Sequence, residues 1–352
     1  MDRPRLLTPA RPTGLTRRSV LGLGAAATSA LVLPGCSRGR GDEPAPSGPA
    51  TFATGNAGGV YALFGAALSS MVSEVTGMEL KPLMTNGSVQ NIQLVAQGKA
   101  DMGFSTSDSA LAAYEGTGEF ESGRRKTSAL ARLYDNYVHV VVPMSSGVSE
   151  LEDMKPKKGG KPLVVGVGPK NSGTRVISEL ILQTAGVEVV PRYLSLAQSV
   201  EGLQDKANNK DTKLAIDAFI WSGGVPTLPI KNLQTSIGFR LVNIGKVAQE
   251  IAVKKFGGYV VSAIPPSQYG LASSVPTLAI PNYLLCRPTL SDSWAWWTIN
   301  TLFRRQNDLV GDPSDPTNYH PEAGALDPRS AIATMPIPLH PAAEKWFREA
   351  HI

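Results

Sequence analysis

Cysteine and histidine are both scarce in this chain of 352 residues, which has two of the first and four of the second. With only Cys36 and Cys286 available, a disulfide framework and a thiolate metal site are not expected, and the apolar run around Cys286 predicts a buried small side chain. The four histidines show no metal-ligand spacing, and His139 alternates with valines, which is more typical of a sheet residue than of a general base. We therefore expect no metal and no cofactor.

Basic clusters are also missing once the first 35 residues are set aside. The formal net charge of the chain is +5, but residues 1–35 hold five arginines and one aspartate, which leaves 29 basic against 28 acidic residues. No run of lysine and arginine is interleaved with aromatic residues, so no nucleic-acid partner is expected.

The glycine motifs of nucleotide-binding and hydrolytic enzymes are absent as well. Thr174 follows the turn from Gly168 to Gly173 at the position where a P-loop requires lysine. The turn at Gly55 lacks the Gly-x-Gly start of a dinucleotide fingerprint, and no Gly-x-Ser-x-Gly elbow occurs. The set of candidate catalytic residues is poor, and we predict that the protein is not an enzyme.

The first 36 residues have the pattern of a bacterial export signal. Arg17-Arg18 precedes an uncharged run from Leu21 to Leu33, and Cys36 follows Leu33-Pro34-Gly35. The run is shorter than the roughly 20 apolar residues that a membrane-spanning helix needs, so it predicts twin-arginine export rather than a membrane span. Cys36 is then the expected lipid anchor, which places the protein on the outer face of the cytoplasmic membrane or in the periplasm. The alternative is a simple cleavage site that happens to precede a cysteine.

The exported part begins with a polar segment rich in glycine, proline and serine. Residues 37–50 predict a flexible tether. Strand-like runs at 51–54, 80–84 and 102–104 then alternate with helical periodicity, and residues 129–133 and 137–142 predict two further strands. This alternation indicates an α/β fold with a parallel sheet and helices on both faces.

The alternation restarts near residue 146, which indicates a second α/β core. A strand over 162–167, a helix over 174–185 and a strand over 214–221 follow, and the apolar run at 275–286 returns to the first core. Residues 291–310 predict a long helix, 311–338 an extended coil and 341–351 a short helix. We therefore predict a first lobe over 51–145, a second lobe over 146–265, and a return to the first lobe with C-terminal helices over 266–352.

Four polar, glycine-rich turns lie between predicted strands and helices. Glycine lets the backbone approach a ligand closely, and a helix start presents bare N–H groups to an anion. Since ligands of open α/β sheets lie beyond the carboxyl ends of the strands, these turns predict one crevice that holds a small anion. The candidate residues are Gly55, Asn56, Gly58, Gly59, Val60 and Tyr61 in the first turn, Thr85, Asn86 and Ser88 with Asn91 in the second, Ser105, Thr106 and Ser107 in the third, and Asn171, Ser172, Gly173 and Thr174 in the fourth. Arg175 is a further candidate, because a cation in the first turn of a helix opposes the helix dipole unless an anion lies near.

Three further segments occur together with these turns in a characteristic order along the chain. They are Gly98 to Phe104, Ile216 to Phe219 with Gly223-Gly224, and Pro336 to Pro341. In these segments and in the turns, the chain resembles the solute-binding subunits of TRAP transporters of the TAXI family. The resemblance covers essentially the whole exported chain. It implies a type II periplasmic-binding-protein fold, with two α/β lobes, a hinge and a central ligand cleft.

The resemblance also implies which residues contact the solute. The first lobe contributes Gly58, Gly59, Val60, Tyr61, Asn86, Ser88, Asn91, Ser107 and Tyr134, and the second contributes Ser172, Gly173, Thr174 and the turn from Trp221 through Gly223 to Gly224. Members of the family take up acidic amino acids or dicarboxylates. The expected function is capture of a small anionic solute and its delivery to a TRAP-type membrane permease.

Two other functions stay open on sequence grounds. A lipoprotein of this fold could sense a ligand and signal to a membrane kinase, and an extracytoplasmic enzyme could use the same fold. A permease gene or a kinase gene beside this one distinguishes transport from sensing, and an activity screen identifies the enzyme.

Overall fold

The structure is a computed structural model that describes residues 43–254, 258–315 and 318–351. The predicted export signal, the Cys36 anchor and residues 37–42 of the predicted tether lie outside the described residues. The rest of the tether contacts the folded part: the Trp297 indole donates to the Glu43 carbonyl at 3.0 Å, and Glu43 pairs with Lys345.

Ten strands form within the described residues, and the strands predicted over 51–167, at 214–221 and at 275–286 are among them. They are β1 (Ala50–Ala53), β2 (Leu80–Leu83), β3 (Met102–Thr106), β4 (Ser128–Pro143), β5 (Leu163–Gly166), β6 (Val189–Arg192), β7 (Ala218–Gly223), β8 (Phe239–Leu241), β9 (Val260–Ile264) and β10 (Val275–Cys286). The two strands predicted at 129–133 and 137–142 are one continuous strand, β4, because neighbouring strands pair with it along its whole length.

The described helices range from four to seventeen residues. They are α1 (Val60–Thr76), α2 (Ser88–Ala96), α3 (Ser107–Glu115), α4 (Gly173–Ala185), α5 (Leu196–Ala207), α6 (Leu228–Lys231), α7 (Leu233–Ser236), α8 (Gly245–Lys254), α9 (Pro266–Tyr269), α10 (Asp292–Arg304), α11 (Gln306–Val310), α12 (Pro328–Ala331) and α13 (Pro341–Glu349). The segment 311–338, expected as extended coil, includes α12 and a 3₁₀ turn at Pro321–Ala325. No helix within the described ranges is long and apolar enough to cross a membrane.

One mixed sheet joins the strands in the order β2-β1-β3-β10-β4-β7-β5-β6, with β8 paired to β4 and β9 to β10. The prediction of a parallel sheet holds for β1 with β2 and β3, and for β5 with β6 and β7. It is wrong for the centre, where β10 is antiparallel to β3 and β4, and β4 is antiparallel to β7. Strand–helix alternation specifies only local parallel units, whereas β4 and β10 enter the sheet from outside such units.

The first helix illustrates how the sequence sets the elements around the sheet. Val60, Phe64, Leu68 and Val72 recur every four residues and are buried, so one face of α1 packs against the sheet. The helix ends at Gly77, whose φ of 68° is left-handed and suits glycine.

Buried side chains gather in several clusters around the sheet. One combines α1, β3 and the C-terminal helices and includes Phe64, Trp294 and Trp346. Two others combine β4, β7 and the elements between residues 148 and 280, and include Ile177 and Trp221. Cys286 is fully buried as predicted, and burial raises the pKa of its thiol.

Candidate ligand-binding site

Four helices begin at the rim of one cavity. Gly59 precedes α1, Gly87 precedes α2, Thr106 precedes α3 and Ser172 precedes α4. The open space of the cavity, including its mouth, is about 390 Å³. The described residues that line it are Gly55, Asn56, Gly59, Val60, Tyr61, Asn86, Gly87, Ser88, Thr106, Asn136, Ser172, Gly173, Thr174, Trp221, Ser222 and Gly223.

Glycines allow the opposing walls to approach each other. A Cβ atom on Gly173 would lie 2.8 Å from both Ser88 Oγ and Thr106 Oγ1, which is closer than real contacts allow. A Cβ atom on Gly59 would lie 3.1 Å from the Trp221 ring. The first turn of α4 can therefore meet α2 and β3 only because residue 173 has no side chain.

The helix starts supply donors rather than charged groups. Neither Gly59 nor Gly87 provides a side-chain cap, so the first two N–H groups of α1 and of α2 stay available to a ligand, whereas the third is bonded to a carbonyl in each helix. None of the described lining residues is charged, and hydroxyl, amide and indole groups alternate with bare backbone. Such a cavity can hold an anion through helix ends and hydrogen bonds.

A chain of amides at the cavity floor fixes the orientation of Asn136. The Tyr61 hydroxyl donates to Asn282 Oδ1, and Asn282 Nδ2 donates to Asn136 Oδ1 and to the Tyr134 carbonyl, both at 2.9 Å. Burial raises the pKa of Tyr61, so its phenol stays a neutral donor. Because Asn136 Oδ1 is already an acceptor in this chain, the side chain can offer its NH₂ group to a ligand.

Ser222 offers a further hydrogen-bonding group. Its hydroxyl is buried and has no hydrogen-bond partner within the residues that the structure describes. Its backbone N–H donates to Thr174 Oγ1 across the cavity wall at 3.4 Å. A buried hydroxyl without a partner is costly, so a ligand group in the cavity would stabilise it.

Hydrogen bonds behind the cavity hold the Trp221 wall in place. Trp221 Nε1 donates to Thr227 Oγ1 at 3.2 Å, and the Thr227 N–H donates to the Tyr269 hydroxyl at 2.7 Å. His139 Nδ1 lies 2.9 Å from the Tyr137 carbonyl, so it carries the proton and Nε2 accepts from the Tyr269 hydroxyl at 2.8 Å. Burial lowers the pKa of His139 to about 4, which keeps the ring neutral and agrees with its predicted sheet role.

Replacing Tyr269 by phenylalanine should lower the free energy of unfolding by about 2 kcal/mol, since the His139 ring nitrogen and the Thr227 N–H both lose their partner in the core. Urea unfolding measures the loss. Tyr114→Phe is the matched control, because Tyr114 is exposed on α3 and should tolerate the same change. Equal unfolding midpoints for the two variants would contradict this role of Tyr269.

The structure brings most predicted site residues to this cavity. Those that line it are Gly55, Asn56, Gly59, Val60, Tyr61, Asn86, Ser88, Thr106, Ser172, Gly173, Thr174, Trp221 and Gly223. Those that do not are Gly58, Thr85, Asn91, Ser105, Ser107, Tyr134, Asn171 and Arg175. Gly87 and Ser222, which lie within two of the predicted turns, also line it, and Asn136 lines it from outside every predicted turn.

Several of the residues outside the lining support the local fold. Asn91 Nδ2 donates to the carbonyls of Thr54 and Phe104, and its Oδ1 accepts from Thr85 Oγ1 at 2.5 Å. These bonds tie α2 to the middle of β3 and to the residue that follows β1. Ser105 donates to the neighbouring Thr106 carbonyl, so its hydroxyl is occupied as well.

The other predicted residues that do not line the cavity lie at its edges or behind it. Gly58 lines a second cavity, Ser107 begins α3 without reaching the lining, and Asn171 accepts from the Gln90 N–H at 3.0 Å. Tyr134 is buried in the core, where its ring meets Phe64 edge-on.

Arg175 also lies apart from the cavity. Its guanidinium pairs with Glu119 and, at 2.8 Å, with Glu179. Two carboxylates therefore supply the negative charge that the sequence argument expected from a ligand. No group of three or more His, Cys, Asp or Glu residues that could hold a metal ion occurs among the described residues.

Several solved structures are similar to this chain in fold, and a periplasmic binding protein is among them. MatC from Rhodopseudomonas palustris, solved with bound malate, is 12% identical, with 86% of this chain and 99% of that chain covered and a TM-score of 0.53. The periplasmic binding protein BugD is 11% identical, with 86% and 96% covered and a TM-score of 0.50. A periplasmic transporter structure is 13% identical, with 87% and 93% covered and a TM-score of 0.50. The chain therefore has the mixed α/β fold of the periplasmic binding proteins, as the sequence predicted.

The family is given by a match over most of the sequence. Residues 52–350 match the model of the NMT1-like family. The matched residues include all the described residues that line the first cavity. The chain belongs to the NMT1-like family.

Proposed function

We propose that the protein is the extracytoplasmic solute-binding receptor of a TRAP-type transporter of the TAXI class. In this proposal it is exported by the twin-arginine route and anchored through a lipid on Cys36. It captures a small anionic solute and delivers it to a membrane permease. Its role is binding and release, without catalysis.

The convergence of the first turns of α1, α2 and α4 on one cavity carries this proposal. Each helix end favours an anion by roughly 0.3–1 kcal/mol, and each hydrogen bond to a charged group adds about 1.5–3 kcal/mol. A few such contacts are enough for micromolar affinity after the cost of association. The described lining holds donors from α1, α2 and α4 together with the hydroxyls of Ser88 and Thr174.

The chemistry of the lining favours a dicarboxylate or hydroxycarboxylate over an acidic amino acid. An amino acid carries an ammonium group, and no described lining residue has a carboxylate to pair with it. The Val60 and Trp221 side chains offer apolar surface for a short carbon chain. The malate bound to MatC is a solute of this class.

Residues from both proposed lobes meet at the cavity. The first lobe spans 51–145 and 266–352 and supplies α1, α2 and Asn136, whereas the second spans 146–265 and supplies α4 and Trp221. Asn56 Oδ1 accepts from the Leu196 N–H at 3.2 Å, and the Asn171 carbonyl accepts from Gln90. Hinge motion that breaks these bonds, the Arg175–Glu119 ion pair and the Tyr259–Asp108 hydrogen bond would open the cavity and release the solute to the permease.

A thermal-shift screen of the protein purified from residue 37 tests the proposal. Malate, succinate and glutamate are compared with glucose and with a cationic amine. A ligand present at 100 times its dissociation constant stabilises the protein by about 2.7 kcal/mol. We expect the largest shift with a dicarboxylate, and a shift with glucose alone would overturn the anion assignment.

A further inference from the structure

A second cavity lies on the other side of the first turn of α1. It has a volume of about 690 Å³ including its mouth, and Val60 is the described residue that it shares with the first cavity. We call it the Glu322 cavity. Its described lining consists of Gly58, Val60, Leu63, Pro226, Thr227, Leu228, Pro229, Lys231, Pro313, Tyr319, His320, Pro321 and Glu322.

Two largely buried residues in the lining of the Glu322 cavity have no ion pair or hydrogen bond to another described residue: they are Glu322 and His320. The Glu322 side chain is 7% exposed and His320 is 5% exposed. Within the described residues, the Glu322 carboxyl receives only the N–H of its own residue and forms no ion pair. The His320 ring makes an edge contact with Phe64, at 6.2 Å between centroids, and no hydrogen bond to a described residue.

Buried polar groups normally have hydrogen-bond partners, and buried carboxylates are normally paired with a cation. The Glu322 carboxyl lies against Gly224, since a Cβ atom there would lie 2.4 Å from Oε1, and both residues also line a third cavity. The ring of His320 is held between Phe64 and the cavity. Both groups therefore offer hydrogen-bond acceptors or donors to whatever occupies this space.

The other walls are apolar. Leu63, Leu228 and four prolines line the sides. Apart from Glu322, the charged residue in the described lining is Lys231, which is exposed. An occupant therefore needs a short hydrocarbon part as well as a polar head. A carboxylate head would meet Glu322 with like charge, whereas an ammonium head would pair with it and could also donate to His320.

We propose that the Glu322 cavity binds a small organic cation, with its ammonium group on Glu322 and His320 and its alkyl part against the leucine and proline walls. This site is separate from the cavity proposed for the anionic solute. Its ligand is a cation, whereas the ligand proposed for the first cavity is an anion, so the protein would bind two classes of ligand.

Three probes with the same four-carbon chain test the charge requirement. Binding of n-butylammonium, n-butanol and butyrate to the full-length protein is measured by titration calorimetry at pH 8. We expect n-butylammonium to bind about tenfold more tightly than the other two probes. They lack the ammonium group and therefore cannot form the charged hydrogen bond to Glu322. Equal affinities, or preference for butyrate, would overturn the proposal.

Two variants then locate the site. Glu322→Gln keeps the shape and removes the charge, and should weaken n-butylammonium binding at least roughly tenfold. Leu63→Trp changes a half-exposed side chain at the wall and should block the cavity even if Glu322→Gln folds poorly. Unchanged affinity in either folded variant contradicts the assignment.

A third variant keeps this proposal distinct from the proposed function. Gly173→Ala alters the first cavity alone, so n-butylammonium should bind it as tightly as the unmodified protein. If Gly173→Ala weakened n-butylammonium binding and Glu322→Gln did not, the cation would occupy the first cavity and the proposed second site would be wrong.

Discussion

Replacing Gly173 by alanine should lower the affinity for the carboxylate solute by at least about 100-fold, or roughly 2.7 kcal/mol. The added methyl group would lie 2.8 Å from Ser88 Oγ and Thr106 Oγ1. It must either push α4 away from α2 or fill the space where the amides of α4 meet the solute. Titration calorimetry with the carboxylate that gives the largest thermal shift measures the effect.

The backbone itself should accept this change. Gly173 does not have a left-handed φ, and alanine is a better helix former than glycine. Thr184→Ala, at the other end of α4, is the matched control and should keep the affinity of the unmodified protein. If Gly173→Ala folded and bound the solute with unchanged affinity, the first cavity would not be the solute site.

The sequence identified the helix starts at the cavity because the signal for them is local. Glycine, serine, asparagine and threonine between a strand and a helix indicate an exposed set of N–H groups wherever they occur. Gly59, Ser88, Thr106 and Gly173 all follow this rule and all line the cavity. Their position between a strand and a helix was enough to predict them as site residues.

Side-chain direction could not be predicted in the same way. Asn91 and Thr85 have the same polar groups as the lining residues, but tertiary neighbours use their hydrogen bonds. Arg175 faces two carboxylates, and one of them, Glu119, lies on a different part of the chain. No local pattern relates residue 175 to residue 119.

Asn136 was missed because it lies inside a strand. Its place at the cavity depends on the pairing of β4 with β10, which puts Asn282 within hydrogen-bond distance. The same antiparallel pairing at the centre of the sheet was not predicted, since local alternation of strands and helices indicates only parallel units. The long-range register of β4 and β10 is therefore the part of the fold and of the site that the sequence pattern left open.

The free energy of unfolding should depend on pH through Glu322. Burial raises the pKa of this carboxyl from its ordinary 4.5 to about 7. Between these values the folded protein binds a proton that the unfolded chain has lost. The stabilisation is fully present below about pH 4.5 and is lost as the pH rises through about 7, by roughly 3 kcal/mol in total.

Glu322→Gln removes this dependence and should make the protein more stable than the original at pH 8, with the difference shrinking towards pH 4.5. Urea unfolding of both proteins at pH 4.5, 6 and 8 measures it. His139 has the opposite slope, because its pKa is lowered to about 4 and its contribution is lost as the pH falls.

Since His139 is present in both proteins, the difference between them isolates Glu322. Other titratable groups around Glu322 affect this stability difference in only part of the range from pH 4.5 to pH 8. The pKa values of Tyr134 and Tyr269 are raised by burial, so both stay neutral throughout. The pKa of His320 is lowered by burial, so a positive ring affects the difference only at the acid end. A stability difference that stayed constant from pH 4.5 to pH 8 would show that Glu322 is ionised in the folded protein throughout and that a partner neutralises it.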